Sequence, residues 1–109
     1  MSSFEEELIQ TLVKKNLDII ILSMLKDNPV HGYKIIADLH NTFGVLLSPG
    51  TLYPLLYRLS SEELIEVEVD RRRKLYSLTR LGERRTREFV ESYKRLVDRI
   101  VDFIDGNLA

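Results

Sequence analysis

Four consecutive bases, Arg71, Arg72, Arg73 and Lys74, stand directly after a run of acids at Glu62, Glu63, Glu66, Glu68 and Asp70, with Arg80, Arg84, Arg85 and Arg87 close behind. Cationic side chains at this density neutralise phosphates and release the counterions condensed on a nucleic acid. The same bases could instead balance the acids that precede them. The formal net charge of −1 hides this segregation, because Glu5, Glu6 and Glu7 offset it at the other end of the chain. A local electropositive surface is compatible with such a total.

A second stretch, "SPGTLYPLLYRL" at residues 48–59, sets two prolines and a glycine around the start of a clean apolar stripe. A helix beginning at Ser48 would put Pro54 in its interior. There the ring lacks an N–H and presses on the Gly50 carbonyl, at a cost of about 3 kcal/mol. With Thr51 as N-cap, Pro54 falls in the first turn, where no N–H has an intrahelical partner. The expectation is therefore a tight turn over Ser48, Pro49, Gly50 and Thr51, then a helix with Leu52, Leu55, Leu56 and Leu59 turned inward. So small a helix start lets the backbone N–H groups of Gly50 and Thr51 approach an anion, aided by the helix dipole. Tyr53 and Tyr57 remain outside, within reach of bases or sugars.

Other chemistries find no support. His31 and His40 lie nine residues apart without zinc-ligand company, and His31 reads better as a polar helix-start residue. No Ser/His/Asp set, paired catalytic carboxylates or phosphate-cradling glycine loop is apparent, so neither an enzyme nor a cofactor is expected. The absence of cysteine excludes disulfides and thiol chemistry and suits a cytoplasmic protein. No apolar run is long enough for a membrane span, and no signal-peptide pattern opens the chain.

The elements that must position these groups follow from periodicity in a chain of 109 residues, room for a modest core. Phe4, Leu8, Leu12, Ile19, Leu22 and Leu25 recur at helical spacing, predicting a first helix over 4–26 that Asn16 loosens and Pro29 ends. A second helix spans 31–43, with Tyr33, Ile36, Ala37 and His40 or Leu39 as its buried face and Gly44 as its stop. Ile65, Val67 and Val69 alternate with acids as in a half-buried strand, and 74–79 forms a second strand with Tyr76 and Leu78 on one face. The arginines between them make a hairpin tip. Thr79 then caps a long helix to about Gly106, striped by Phe89, Tyr93, Leu96, Ile100 and Phe103 and widened by Val90, Val97, Val101 and Ile104.

Helix, helix, turn, helix and hairpin is the order of a winged helix-turn-helix domain, a mainly α, α+β fold in which the motif's second helix enters the major groove nose first. The expected organisation is a winged domain over 1–79 and a dimerisation helix over 80–109. The stripe outruns what so small a domain can cover, and a second copy covers it by symmetry. A homodimer interface of Phe4, Leu8, Leu12, Phe89, Tyr93, Leu96, Val97, Ile100 and Ile104 is expected, the alternative being a helix folded back on its own domain. The same fold could also serve as a protein-docking module that does not bind DNA.

"HGYKIIADL", "LSPGTLYPLLYRL" and "RRRKLYSLTRLG" together resemble the PadR family of transcriptional regulators, of the short type with one C-terminal helix. The resemblance covers residues 17–82. It implies a repressor that binds double-stranded operator DNA as a homodimer. It places the recognition-helix start on Ser48, Pro49, Gly50, Thr51 and Tyr53, backbone contacts on Tyr33 and Lys34, and a basic wing on Arg71, Arg72, Arg73 and Lys74. Family members can respond to phenolic acids or drugs, which makes a small-molecule inducer an expected partner class, although no residue pattern marks its pocket. Two departures stand out: the family usually has glycine where Glu63 stands, and Gly-Arg-Pro-Arg where this chain has Asp70-Arg71-Arg72-Arg73.

Overall fold

The computed structural model describes residues 3–109, so the first two residues of the expected 1–79 unit lie outside it. Five helices and three strands run in the order α1 (Ser3–Lys15), α2 (Leu17–Met24), β1 (Val30–His31), α3 (Gly32–Phe43), α4 (Pro49–Ser61), β2 (Ile65–Asp70), β3 (Arg73–Leu78) and α5 (Arg80–Leu108). The strands form one antiparallel sheet in the order β1-β3-β2. Ile21, Leu22, Leu25, Ile35, Leu39, Leu52, Leu56 and Leu59, from α2, α3, α4 and their borders, are almost wholly buried and form one core, closed by Tyr76 and Ile65 from the sheet.

The first helix is not continuous. Asn16 leaves helical geometry (φ −114°, ψ 21°), and its side chain donates to the Leu12 carbonyl at 2.8 Å, competing with the backbone ladder as asparagine does. Its amide also reaches the Tyr93 hydroxyl at 3.2 Å, so the joint is held against α5.

The α3 face is rotated from the expected one. Gly32, Ile35 and Leu39 are buried, Ile36 is half-buried, and Tyr33, Ala37 and His40 are exposed. Gly32 is the residue that periodicity overlooks, because its burial comes from a neighbour's ring and not from its own side chain. Gly44 ends α3 in the left-handed region (φ 69°), and its N–H donates to the His40 carbonyl at 2.9 Å.

The expected Thr51 cap is also corrected. Ser48 is the N-cap of α4, its Oγ accepting from the Thr51 N–H at 3.2 Å, and Pro49 occupies the first helical position. Pro54 therefore sits inside the helix and leaves the Gly50 carbonyl without its i+4 donor. Gly50 is exposed, so water can take that place. A satisfied cap and a favourable first-position proline offset much of the penalty that argued for the later start.

The far end of α4 explains one departure from the family pattern. Glu63 has φ 62°, and the Leu64 N–H closes back on the Leu59 carbonyl at 3.0 Å, the helix-ending turn in which glycine is favoured. Glu63→Gly should therefore stabilise the fold by about 0.5–1 kcal/mol, the relief of left-handed strain less the added freedom of the unfolded chain. Urea denaturation reads this directly, and a midpoint that falls would show that the glutamate makes a compensating contact.

The expected hairpin is present, with Ile65 opposite Leu78 and Asp70 opposite Arg73, and its tip is one residue shorter than expected because Arg73 belongs to β3. The half-buried reading of β2 fails beyond its first residue. Ile65 is buried, whereas Val67 and Val69 are exposed, Val69 to 71%, because the ribbon projects past the helices. β1 has no counterpart in the sequence pattern: two residues after a proline carry no alternation to read. It pairs Val30 with Tyr76 and His31 with Leu75.

Thr79 caps α5 as expected, its Oγ1 accepting from the Gly82 N–H at 2.9 Å. The same hydroxyl lies 2.8 Å from the Glu63 carbonyl and 3.1 Å from that of Leu64, joining the helix start to the end of α4. Glu83, in the first turn, is held below the usual carboxylate range by hydrogen bonds from Arg87 and Lys26, the latter a link to the end of α2 at 3.3 Å.

Candidate nucleic-acid interface

The nose of α4 is smooth and solvent-facing. Ser48, Pro49, Gly50 and Thr51 are all exposed. A Cβ added at Gly50 would meet nothing nearer than Ser48 Oγ at 3.8 Å, so nothing inside the chain demands glycine there. A surface that comes close from outside would. The Thr51 N–H is already taken by the cap, which leaves the Gly50 N–H as the donor of that pair with no recorded partner among the described residues. Tyr57, one turn further on, is 76% exposed.

Tyr53 takes a different course. Its ring lies across Gly32, where an added Cβ would fall 2.6 Å from the hydroxyl and 2.9 Å from Cε1. It is still partly exposed, and beyond it lies Tyr76, whose hydroxyl is pushed above the usual tyrosine range by burial and then by Tyr53 itself. Tyr53 thus floors a concavity of about 590 Å³ that also brings together His31, Tyr33, Arg72, Arg73 and Lys74. Lys34, one residue along α3, turns to Asp38 at 2.8 Å. Both groups are exposed, and such a pair stabilises little and can be exchanged for another partner.

At the wing, Arg71 and Arg72 (φ 50° and 69°) form the two-residue turn between β2 and β3, a geometry usually supplied by glycine or asparagine. Arg73 already belongs to β3. Among the described residues, no ion pair joins any base of 71–74 to Glu66, Glu68 or Asp70. The alternative in which the wing bases balance those acids is not the arrangement found.

The expected dimer residues form a separate surface. Phe4, Leu8 and Leu12 are exposed on α1, as are Phe89, Tyr93, Leu96, Ile100 and Ile104 on α5, while Val97 is half-buried. Phe89 and Tyr93 stack at 5.2 Å. Leu108 extends the stripe by a further turn beyond the residues expected. Two members of the groove-side cluster, His31 as a ring partner and Gly32 as a seat for Tyr53, carry no signal in the sequence, because both roles exist only once α4 and β3 fold over them.

A core of three helices with a twisted hairpin beside the last of them defines a winged helix-turn-helix protein. The chain belongs to the PadR-like family of transcriptional regulators, whose pattern matches residues 21–88. It is 42% identical over 66 residues to a transcriptional regulator of Mycobacterium tuberculosis, covering 57% of this chain and 61% of that protein. It is 37% identical over 70 residues to the transcriptional activator GvpE1 of Halobacterium salinarum, covering 62% of this chain. The chain spans only 36% of that activator, and 24% of an uncharacterised transposon protein of Streptomyces fradiae to which it is also similar.

Among solved structures, a PadR family regulator from Eggerthella lenta superposes with a TM-score of 0.77 at 28% identity, covering 93% of this chain and 92% of that one. Bacillus subtilis PadR, solved in complex with operator DNA, shares the fold with a TM-score of 0.61 at 23% identity, covering 68% of this chain and 45% of that one. No helix among the described residues is long and apolar enough to cross a membrane.

Proposed function

We propose that this protein is a sequence-specific DNA-binding repressor that works as a homodimer in the cytoplasm. The observation that carries the reading is the wing: Arg71 and Arg72 stand at a projecting tip with no acidic partner among the described residues, on the hairpin that borders the concavity with Tyr33 and Tyr53. The nose of α4, from Ser48 to Thr51, lies in the major groove with Gly50 against a phosphate and Tyr57 toward bases or sugars. Lys34 and Lys74 flank the backbone on either side, with the Tyr33 ring beside them. The operator complex of Bacillus subtilis PadR supports a DNA partner for this fold. Repression is a matter of where the operator lies, since one relative is named an activator. A small-molecule inducer, the other expected partner, would act by changing the spacing of the two recognition helices.

The test is binding to operator and random duplexes across a range of salt concentration. Each phosphate neutralised contributes a slope of about −0.9 in log affinity against log salt. Replacing Arg71 and Arg72 with alanine removes two charges from each protomer, so the slope should flatten by roughly two to four units, on both kinds of DNA alike. An unchanged slope with unchanged affinity would take the wing out of DNA binding. A protein-docking role has one observation in its favour, the free edge of β2 with Val67 and Val69 exposed, and a wild-type protein that DNA fails to retain at low salt would select it.

A further inference from the structure

The three wing arginines do not share one environment. Arg71 and Arg72 make the turn, whereas the Arg73 guanidinium lies over the ring of Tyr33, with Cζ 5.6 Å from its centroid. Tyr33 in turn stacks on His31, the ring centroids 5.7 Å apart and the planes within 13°. His31 closes the circuit, its Nδ1 lying 3.2 Å from the Lys74 carbonyl. Guanidinium, phenol and imidazole thus form one column that runs from the wing to the start of α3.

The column sits where the sheet runs out of support. β1 pairs only with Leu75 and Tyr76, so from Lys74 outward the wing is a two-stranded ribbon with no third strand. Ribbons of that kind twist readily and are marginally stable alone. Val69, opposite Lys74, is exposed and packs the ribbon onto nothing. The angle at which Arg71 and Arg72 leave the body is then set by what ties this outer part to the helices, and the Arg73–Tyr33 contact and the His31–Lys74 hydrogen bond are such ties.

We propose that Arg73 is a positioning residue: it clamps the wing onto α3 through the Tyr33 ring and aims the two turn arginines, and it does not itself neutralise a phosphate. This rests on the DNA-binding reading above and assigns the wing a division of labour. An exposed cation–π contact corresponds to about a two- to five-fold bias toward the clamped wing in each protomer. Both protomers carry it, so its loss should weaken operator binding by about five- to thirty-fold.

Two measurements test the clamp. In the DNA-free protein, the Tyr33 ring should shift the Arg73 side-chain proton resonances upfield, and Tyr33→Leu should return them to ordinary values. In DNA binding, Arg73→Gln and Tyr33→Leu should each lose affinity, and the double variant should lose no more than the worse single one. Tyr33→Phe, which keeps the ring, should lie much closer to wild type than Tyr33→Leu. The salt slope should stay at the wild-type value in Arg73→Gln while it flattens in Arg72→Ala. Losses that multiply in the double variant, a slope flattened by about 1.8 in Arg73→Gln, or Arg73 resonances indifferent to Tyr33→Leu would overturn the proposal. A wild-type protein with no affinity for DNA would instead overturn the regulator reading, and the resonance shift alone would then decide whether the clamp exists.

Discussion

Gly82→Ala should cost about 3 kcal/mol or more and lower the melting temperature by over ~10 °C, a large effect for one methyl group. Gly82 is the one buried residue of α5. A Cβ there would strike the Leu64 carbonyl oxygen and come within 2.7 Å of Leu78 Cδ1. The leucine tip could turn aside. The carbonyl is less able to move, because it accepts from the Thr79 N–H at 3.1 Å and lies at the same distance from the Thr79 hydroxyl, bonds that seat the helix cap. The methyl must therefore lift α5 off the sheet or break the cap. Thermal denaturation followed by circular dichroism checks this, with Gly106→Ala as the control. A Cβ added at Gly106 would meet no neighbouring group within 4 Å, so alanine there should show only the helix-propensity gain of up to about 1 kcal/mol. Equal melting temperatures for the two variants would mean that the α5 junction tolerates a displacement the geometry does not suggest.

The second large effect is on assembly. Leu96→Asp with Ile100→Asp should convert the proposed dimer to a monomer in sedimentation. α5 runs 29 residues, and beyond Val97 its apolar side chains are exposed among the described residues: Ile100 is 59% exposed, Phe103 72% and Leu108 79%. A stripe of that length is not left to water in a stable monomer. A copy of the same helix, joined by Phe4, Leu8 and Leu12 of α1, offers a self-complementary cover. Placing unpaired carboxylates in that seam costs several kcal/mol in each protomer. A double variant that sediments as an unchanged dimer would move the interface elsewhere. Loss of the dimer with the winged domain still folded would also show that residues 3–79 hold their core without the helix pairing.

Where the sequence was readable, the signal was local and redundant. Thr79 as a cap, Gly44 as a stop, the leucines of α4 and the presence of the hairpin each follow from short-range rules that tertiary contacts reinforce. Where it misled, a distant neighbour had decided. On α3, Tyr53 fills the space over Gly32 and buries a face that side-chain periodicity does not mark; at α4 the reason is local, since the Ser48 cap and Pro49 at the first position outweigh the penalty of Pro54. Val67 and Val69 alternate as a buried strand would, but no helix reaches far enough to cover them. Of the candidate interface, the nose of α4 and the arginine tip could be read from residue types alone. The column of His31, Tyr33 and Arg73 brings Arg73 onto a residue forty positions away and could not.

The junction at Thr79 and Gly82 has a mechanical consequence. With the start of α5 bonded to the end of α4 and no room for a side chain between them, the long helix and the reading head turn together as one lever. A helix of this length spans about 43 Å, so a 5° tilt about one end displaces the other by about 4 Å, close to the rise between successive base pairs. In the proposed dimer, sliding or tilting of one α5 against its mate is transmitted to the wings without a hinge to absorb it. On the DNA-binding reading proposed above, altering the helix pairing by a few degrees would shift the half-site spacing the dimer spans, with no change of shape within the protomer.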